Sequence, residues 1–242
     1  MIPLHRRFVA ELIGTFALVF FGCASVIANA YPGTGVGLTG VAIAHALALS
    51  IGVTITMGIS GGHLNPAVTA GLAAVRRIDL RTAGVHIAAQ LVGAALAGFA
   101  LRAFFPEAIA RVVGYGVPQL TLGLSSLQGV ALEAILAFFL MSAVFGTCVA
   151  ASAPRIGGFG IGLTLGFLIL AAGPLTGAAV NPARSFGPAL ASGTWTSHAL
   201  YWIGPVLGAV VAALVWDRYL LRDERVERVE SRGTSAARAT AG

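Results

Sequence analysis

Two tripeptides and a handful of buried polar residues carry whatever chemistry this chain can do. Asn65-Pro66-Ala67 and Asn181-Pro182-Ala183 each join a preferred helix N-cap to a preferred first helical residue, so both read as helix starts. Each opens an apolar stretch of eleven residues, 65–75 and 181–191. As helix such a stretch is ~16 Å long, about half the hydrocarbon thickness of a bilayer. A helix N-terminus carries a partial charge of about +0.5, so two of them meeting head to head would repel cations and protons. The amides of Asn65 and Asn181 can donate to a passing oxygen, and carbonyls of the loops leading to them supply acceptors. A water whose lone pairs are both engaged cannot accept a proton from its neighbour, which interrupts proton hopping while neutral molecules pass. Arg184 is the one arginine set inside an apolar context. A guanidinium at membrane depth costs roughly 3 kcal/mol unless it faces water or a partner, which makes it a functional candidate.

The elements that would position these residues are membrane spans. Of the 242 residues 57% are hydrophobic and 10% charged, against about 25% charged in an ordinary soluble domain. Six stretches, roughly 8–30, 36–59, 83–101, 126–151, 156–173 and 197–216, are long enough to cross a bilayer. The first reads as a span and not as a cleavable signal, because its apolar run is too long and lacks a clear small-residue cleavage site. All fifteen basic residues are arginine, and twelve fall on one side of this topology. Arg102 and Arg111 fall on the other side, so the positive-inside rule puts both termini in the cytoplasm.

The chain is also duplicated. Glu11 precedes Phe16 by the same interval as Glu133 precedes Phe138, and Gly61 and Gly177 each lie four residues ahead of a tripeptide Asn. Each half holds three spans, an odd number, so the second enters the membrane from the opposite side. The expected fold is therefore an all-α membrane protein with six transmembrane helices and two half-membrane re-entrant helices in an inverted repeat, its site near the midplane. It forms one domain over 1–219, with halves at about 8–101 and 126–216, followed by a polar tail, 220–242, with too little apolar surface to pack.

Several classes fall away. The residues outside the spans are too few for a nucleotide-binding domain, and the chain shows no phosphate-binding loop, metal-ligand cluster or nucleophile and base pair. No cofactor, metal or nucleic-acid partner is expected, despite the net charge of +6. Cys23 and Cys148 each lie inside an apolar run and read as packing residues. Gln90 reads as an interhelical hydrogen-bond partner, His63 as a residue of the cytoplasmic vestibule, and His5, His86 and His198 as interfacial or packing residues.

At symmetric places in two three-span halves, the tripeptides resemble those of the aquaporin, or major intrinsic protein, family. The resemblance runs from about residue 8 to 219 and includes Ala10-Glu11 with Gly14-Thr15-Phe16, the run from Ser60 to Thr69, Ala88-Ala89-Gln90, and the run from Val180 to Pro188. It implies a homotetramer in the lipid bilayer with one pore per subunit, conducting water and small neutral solutes. It also implies that Glu11 and Glu133 support the half-helix loops, that Arg184 belongs to a narrow outer filter, and that the other filter positions are His45, Ile169 and Ala178. Water-selective members usually have an aromatic at the first of these and a His at the second. The His, Ile, Ala, Arg set is more similar to plant tonoplast intrinsic proteins, which carry water and often ammonia, urea or hydrogen peroxide. The loop 102–125 lacks the His that some of those proteins add to the filter.

Glycerol facilitators tend to have an Asp after the arginine and a Lys four residues further on, where this chain has Ser185 and Ala189, and they lack its Tyr201-Trp202 pair. Water is therefore the expected main permeant, with a glycerol or small-solute facilitator as the alternative. An inverted-repeat secondary transporter is the competing class, with Glu11 and Glu133 as its proton relays. The short loops suggest a prokaryotic plasma membrane.

Overall fold

The structure is a computed structural model that describes residues 2–154, 156–224 and 226. Six long helices are apolar enough to cross a membrane: α1 (Leu4–Asn29), α2 (Gly37–Ser60), α4 (Leu80–Phe104), α6 (Ser126–Val144), α7 (Gly157–Thr176) and α9 (Leu200–Val215). A π-helical turn extends α6 through Phe145–Val149 and another extends α9 through Trp216–Leu220. The two half-length helices are α3 (Pro66–Ala74) and α8 (Pro182–Ser192), and a short α5 (Glu107–Ala110) runs into a 3-10 segment, Arg111–Gly116, in the longest connection. The polar tail begins at 220, and all but 220–224 and 226 of it lies outside the described residues, as does Arg155.

Span ends differ from the hydropathy reading because an apolar window sees only the middle of a helix. Asp79 caps α4 by accepting from Thr82 N at 2.9 Å, so α4 begins three residues before the expected 83. Ser125 and Gln128 form a capping box that starts α6 where expected. α7 continues past 173 through Pro174 and stops where Gly177 turns left-handed, φ 81°.

The two halves pack by the same rule. α1 packs against α2 and α4, and α6 against α7 and α9, while each half-helix crosses to the other half: α3 lies on α9, and α8 on α4. Small residues set the approach. A Cβ at Gly208 would overlap the Ala134 carbonyl, and one at Gly93 would overlap that of Leu12. Ala134 and Leu12 directly follow the paired glutamates, so the same close contact recurs in both halves. Outside, the molecule is apolar: Ile43, Leu47, Ile51 and Ile55 are exposed along α2, and Leu163, Phe167 and Leu170 along α7. Inside, it buries Glu11, Glu133, Gln90, Asn65, Asn181 and Arg184. That inversion of the soluble pattern fits a chain whose outer solvent is hydrocarbon and whose polar groups are satisfied internally.

α3 ends in a left-handed turn. Arg77 N donates to Leu72 O and Arg76 N to Ala73 O, both at 2.9 Å, the Schellman pattern, with Arg76 at φ 57° in the position that glycine usually fills.

Candidate functional site

The structure brings the two tripeptides together tip to tip. Asn65 Oδ1 accepts from Ala67 N at 2.8 Å, and Asn181 Oδ1 accepts from Ala183 N at 2.9 Å and Arg184 N at 3.3 Å, so each Asn caps its own half-helix. Asn65 Nδ2 donates to Val180 O and Asn181 Nδ2 to Leu64 O, both at 2.9 Å. One N–H of each amide is thus spent as a cross-brace between the loops, and one remains for the lumen. No residue type or spacing announces this brace. It depends on Leu64 (φ 51°) and Val180 (φ 47°), which hold left-handed backbone that non-glycine residues rarely adopt. Pro66 and Pro182 fill the first helical position, and Ala67 and Ala183 pack buried beside them.

Behind each loop sits a carboxylate. Glu11 Oε1 accepts from Ser60 Oγ at 2.6 Å and His63 N at 2.9 Å, and its Oε2 accepts from Leu64 N at 2.8 Å and Gln90 Nε2 at 2.7 Å. Glu133 does the same in the second half, accepting from Thr176 Oγ1 at 2.7 Å, Ala179 N at 2.9 Å and Val180 N at 2.7 Å. A buried carboxylate is tolerated when such donors satisfy it, and here they fix the strained segment just ahead of each Asn.

Arg184 is 6% exposed and held twice: one guanidinium nitrogen donates to Gly116 O at 2.8 Å, the other lies 3.3 Å from His45 Nε2. His45 Nδ1 lies 2.9 Å from the Val41 carbonyl, which can only accept. The ring therefore carries its hydrogen on Nδ1 and offers Nε2 as acceptor to Arg184, an assignment made from the network. His45 and Arg184 are the residues shared by two cavities. One, of about 260 Å³, runs inward past Asn65, Asn181, Ala178 and His63; the other, of about 450 Å³, opens outward past Ile169, Gly116 and Gln119. Of the four residues named for the filter, His45 and Arg184 thus line both cavities, Ala178 the inner one and Ile169 the outer one.

Other placements add to the sequence reading. The loop 102–125, which lacks a His, still reaches Arg184, through the Gly116 carbonyl, and Gln119 joins the outer cavity wall. A backbone contact leaves no residue-type signal, so sequence could not have found it. Of the two alternatives for His86, interfacial or packing, the structure has the second: it is completely buried, with Nδ1 at 3.3 Å from His63 Nδ1. His63 lines the inner cavity, and its Nδ1 also lies 3.1 Å from Thr69 Oγ1. Gln90 bridges Glu11 and Thr69, joining α4 to α1 and α3. His198 packs at the far end, accepting from Trp202 Nε1 at 3.1 Å.

The profile of the family described as Major intrinsic protein matches residues 1–216. Aquaporin TIP4-4 of Zea mays is 46% identical over 224 residues, 88% of this chain and 85% of that protein. Probable aquaporin TIP2-1 of Oryza sativa subsp. japonica is 42% identical over 222 residues, covering 87% and 86%. Among solved structures, the X-ray structure of the aquaglyceroporin from Plasmodium falciparum superposes with a TM-score of 0.81 over 90% of this chain and 97% of that one, at 24% identity, a likeness of fold.

Proposed function

The chain belongs to the major intrinsic protein family, and from that premise we propose that it is a passive channel that conducts water across a membrane and excludes protons and ions. The observation that carries this reading is the facing pair of capped half-helix N-termini, with Asn65 and Asn181 on a lumen that narrows between His45 and Arg184. Water passing the midpoint meets one free N–H from each Asn and the positive ends of α3 and α8. Its lone pairs are engaged there, so its hydrogens point away from the centre in both directions and a proton relay is broken. Arg184 adds a fixed positive charge at the outer constriction. Nothing in this arrangement turns over a bond, and the protein acts as a channel and not as an enzyme.

Small neutral solutes such as ammonia, urea and hydrogen peroxide belong to the same reading. His45 binds Arg184 with its Nε2 and so draws the guanidinium towards its own wall, while Ile169 and Ala178 make the rest of the constriction apolar and leave it room. A glycerol facilitator is the second reading, favoured by that same room and opposed by Ser185, Ala189 and the Tyr201-Trp202 pair. Glu11 and Glu133 act as loop supports, since every hydrogen bond they accept comes from their own half of the chain.

The protein is integral to a membrane. Both termini face the cytoplasm on the arginine distribution, and four copies assemble, one pore each, as the family resemblance implies. Similarity to proteins of maize and rice weighs against the prokaryotic plasma membrane that the short loops suggested.

Stopped-flow light scattering on liposomes containing the protein, under water, glycerol and urea gradients with a proton-sensitive dye, tests the proposal. Fast shrinkage with slow glycerol influx and no proton leak supports it. Fast glycerol influx with little gain in water flux overturns it in favour of a solute facilitator.

A further inference from the structure

We propose that the cytoplasmic cleft between the start of α1 and the end of α3 binds the phosphate of an anionic phospholipid headgroup. The cleft measures about 540 Å³ and is lined by Arg7, Arg76 and Arg77, with Ala73, Ile78 and Leu80 supplying apolar wall. Its one acid, Asp79, is already engaged: Oδ1 accepts from Thr82 N at 2.9 Å and Oδ2 from Thr82 Oγ1 at 2.7 Å. Arg77 spends its Nε on Asp217 at 2.8 Å and Arg7 donates its Nε to Ile2 O at 3.2 Å; among the described residues neither Arg7 nor Arg76 forms an ion pair, and against the Asp79 carboxylate the two leave the cleft one positive charge in excess.

Two bland explanations cover part of this. Arginines on the inner face orient a membrane protein, and a cation at a helix C-terminus answers its dipole. Arg77 follows α3 and meets the second need by itself. Orientation is served by an arginine anywhere on this face and does not explain the place of Arg76, which is exposed and occupies a left-handed position (φ 57°) where glycine would carry no strain. Keeping an arginine there is reasonable when its side chain is used, and it points to a ligand carrying negative charge.

The site lies where a headgroup would be. Leu80 is the first residue of α4, is 81% exposed, and forms part of the cleft, while the half-buried Val85 and the exposed Ala88 continue an apolar surface along the next two turns, the half of the span nearest the cleft. A phosphate between the arginines would therefore have an apolar helix surface beneath it for its acyl chains. A free cytosolic anion has no use for that wall. Basic pockets between spans on the cytoplasmic side are a recurrent way of holding acidic headgroups.

The test uses the full chain purified in detergent and exchanged with phosphatidylcholine alone or mixed with phosphatidylglycerol. Retained lipid is read by native mass spectrometry and the thermal midpoint is read in parallel. Wild type should retain phosphatidylglycerol in preference to phosphatidylcholine. Arg76→Gly relieves the backbone, so its midpoint in phosphatidylcholine should not fall, yet its preference should drop about fivefold, the contribution of one arginine near an anionic surface. Arg76→Lys should keep most of the preference, and Arg102→Gln, on the opposite face, should keep all of it. Unchanged preference in Arg76→Gly overturns the proposal. So does complete displacement by millimolar inorganic phosphate with no discrimination between the two lipids, which would make this a site for a free anion.

Discussion

His45 Nε2 accepts a hydrogen bond from the Arg184 guanidinium at 3.3 Å, so the two polar residues of the outer constriction are spent partly on each other. In the filter proposed above, a solute meets a guanidinium held to one side, the Gly116 carbonyl anchoring its other end, and apolar Ile169 and Ala178.

Replacing His45 by Phe removes the acceptor and inserts a larger ring. Arg184 then keeps only Gly116 and turns into the lumen, and the ratio of urea to water permeability in liposomes should fall by about tenfold, a barrier difference of ~1.4 kcal/mol. An unchanged ratio would take His45 out of the filter.

Arg184→Val deletes the outer positive charge and opens space. Water flux should be retained while urea influx rises, and cation leak, read by a potential-sensitive dye, should become measurable. Selectivity equal to wild type would show that the charge lies away from the permeation path.

Asn65→Asp puts a carboxylate against the Val180 carbonyl, turning a 2.9 Å hydrogen bond into a repulsion and placing negative charge between the positive ends of two helices. Cation exclusion should weaken, and Asn181→Asp, facing Leu64 O, should do the same. The check is proton and sodium flux under an imposed potential, with water flux as the control for folding.

Glu133→Gln leaves one oxygen to serve Thr176, Ala179 and Val180 and turns an amide N–H towards a donor. At about 1.5–3 kcal/mol for each hydrogen bond to a charged group lost, the thermal midpoint in detergent should drop clearly. Glu11→Gln should cost at least as much, because four donors converge on Glu11. A midpoint within error of wild type for both variants would remove the loop-support role.

Asp79 gives a pH signature outside the membrane. Hydrogen bonds from the Thr82 hydroxyl and backbone N–H hold its carboxyl below the ordinary 3.8 of an aspartate. A depressed value means that the stabilisation is present above the unfolded value and is lost as pH falls through the folded one. The midpoint difference between wild type and Asp79→Ala should thus be constant from pH 8 to 5 and shrink below about pH 4. A difference that changed around neutrality would mean that some other group sets it.

Much was legible in the sequence because the membrane imposes it. A run of apolar residues must be helical where no water can satisfy the backbone, so the six spans and their inverted order followed from hydropathy and an odd count per half. Asn65-Pro66 and Asn181-Pro182 declared helix starts through local capping chemistry, and the repeat of Glu11 in Glu133 declared their symmetry. What only the tertiary structure decided is how backbone groups from distant segments meet. The Val180 and Leu64 carbonyls bracing the opposite Asn, the Gly116 carbonyl anchoring Arg184, and the burial of His86 against His63 all depend on main-chain direction or on packing between elements far apart in the chain. Every residue has the same carbonyl, so residue types alone do not record which one a fold will turn towards a site.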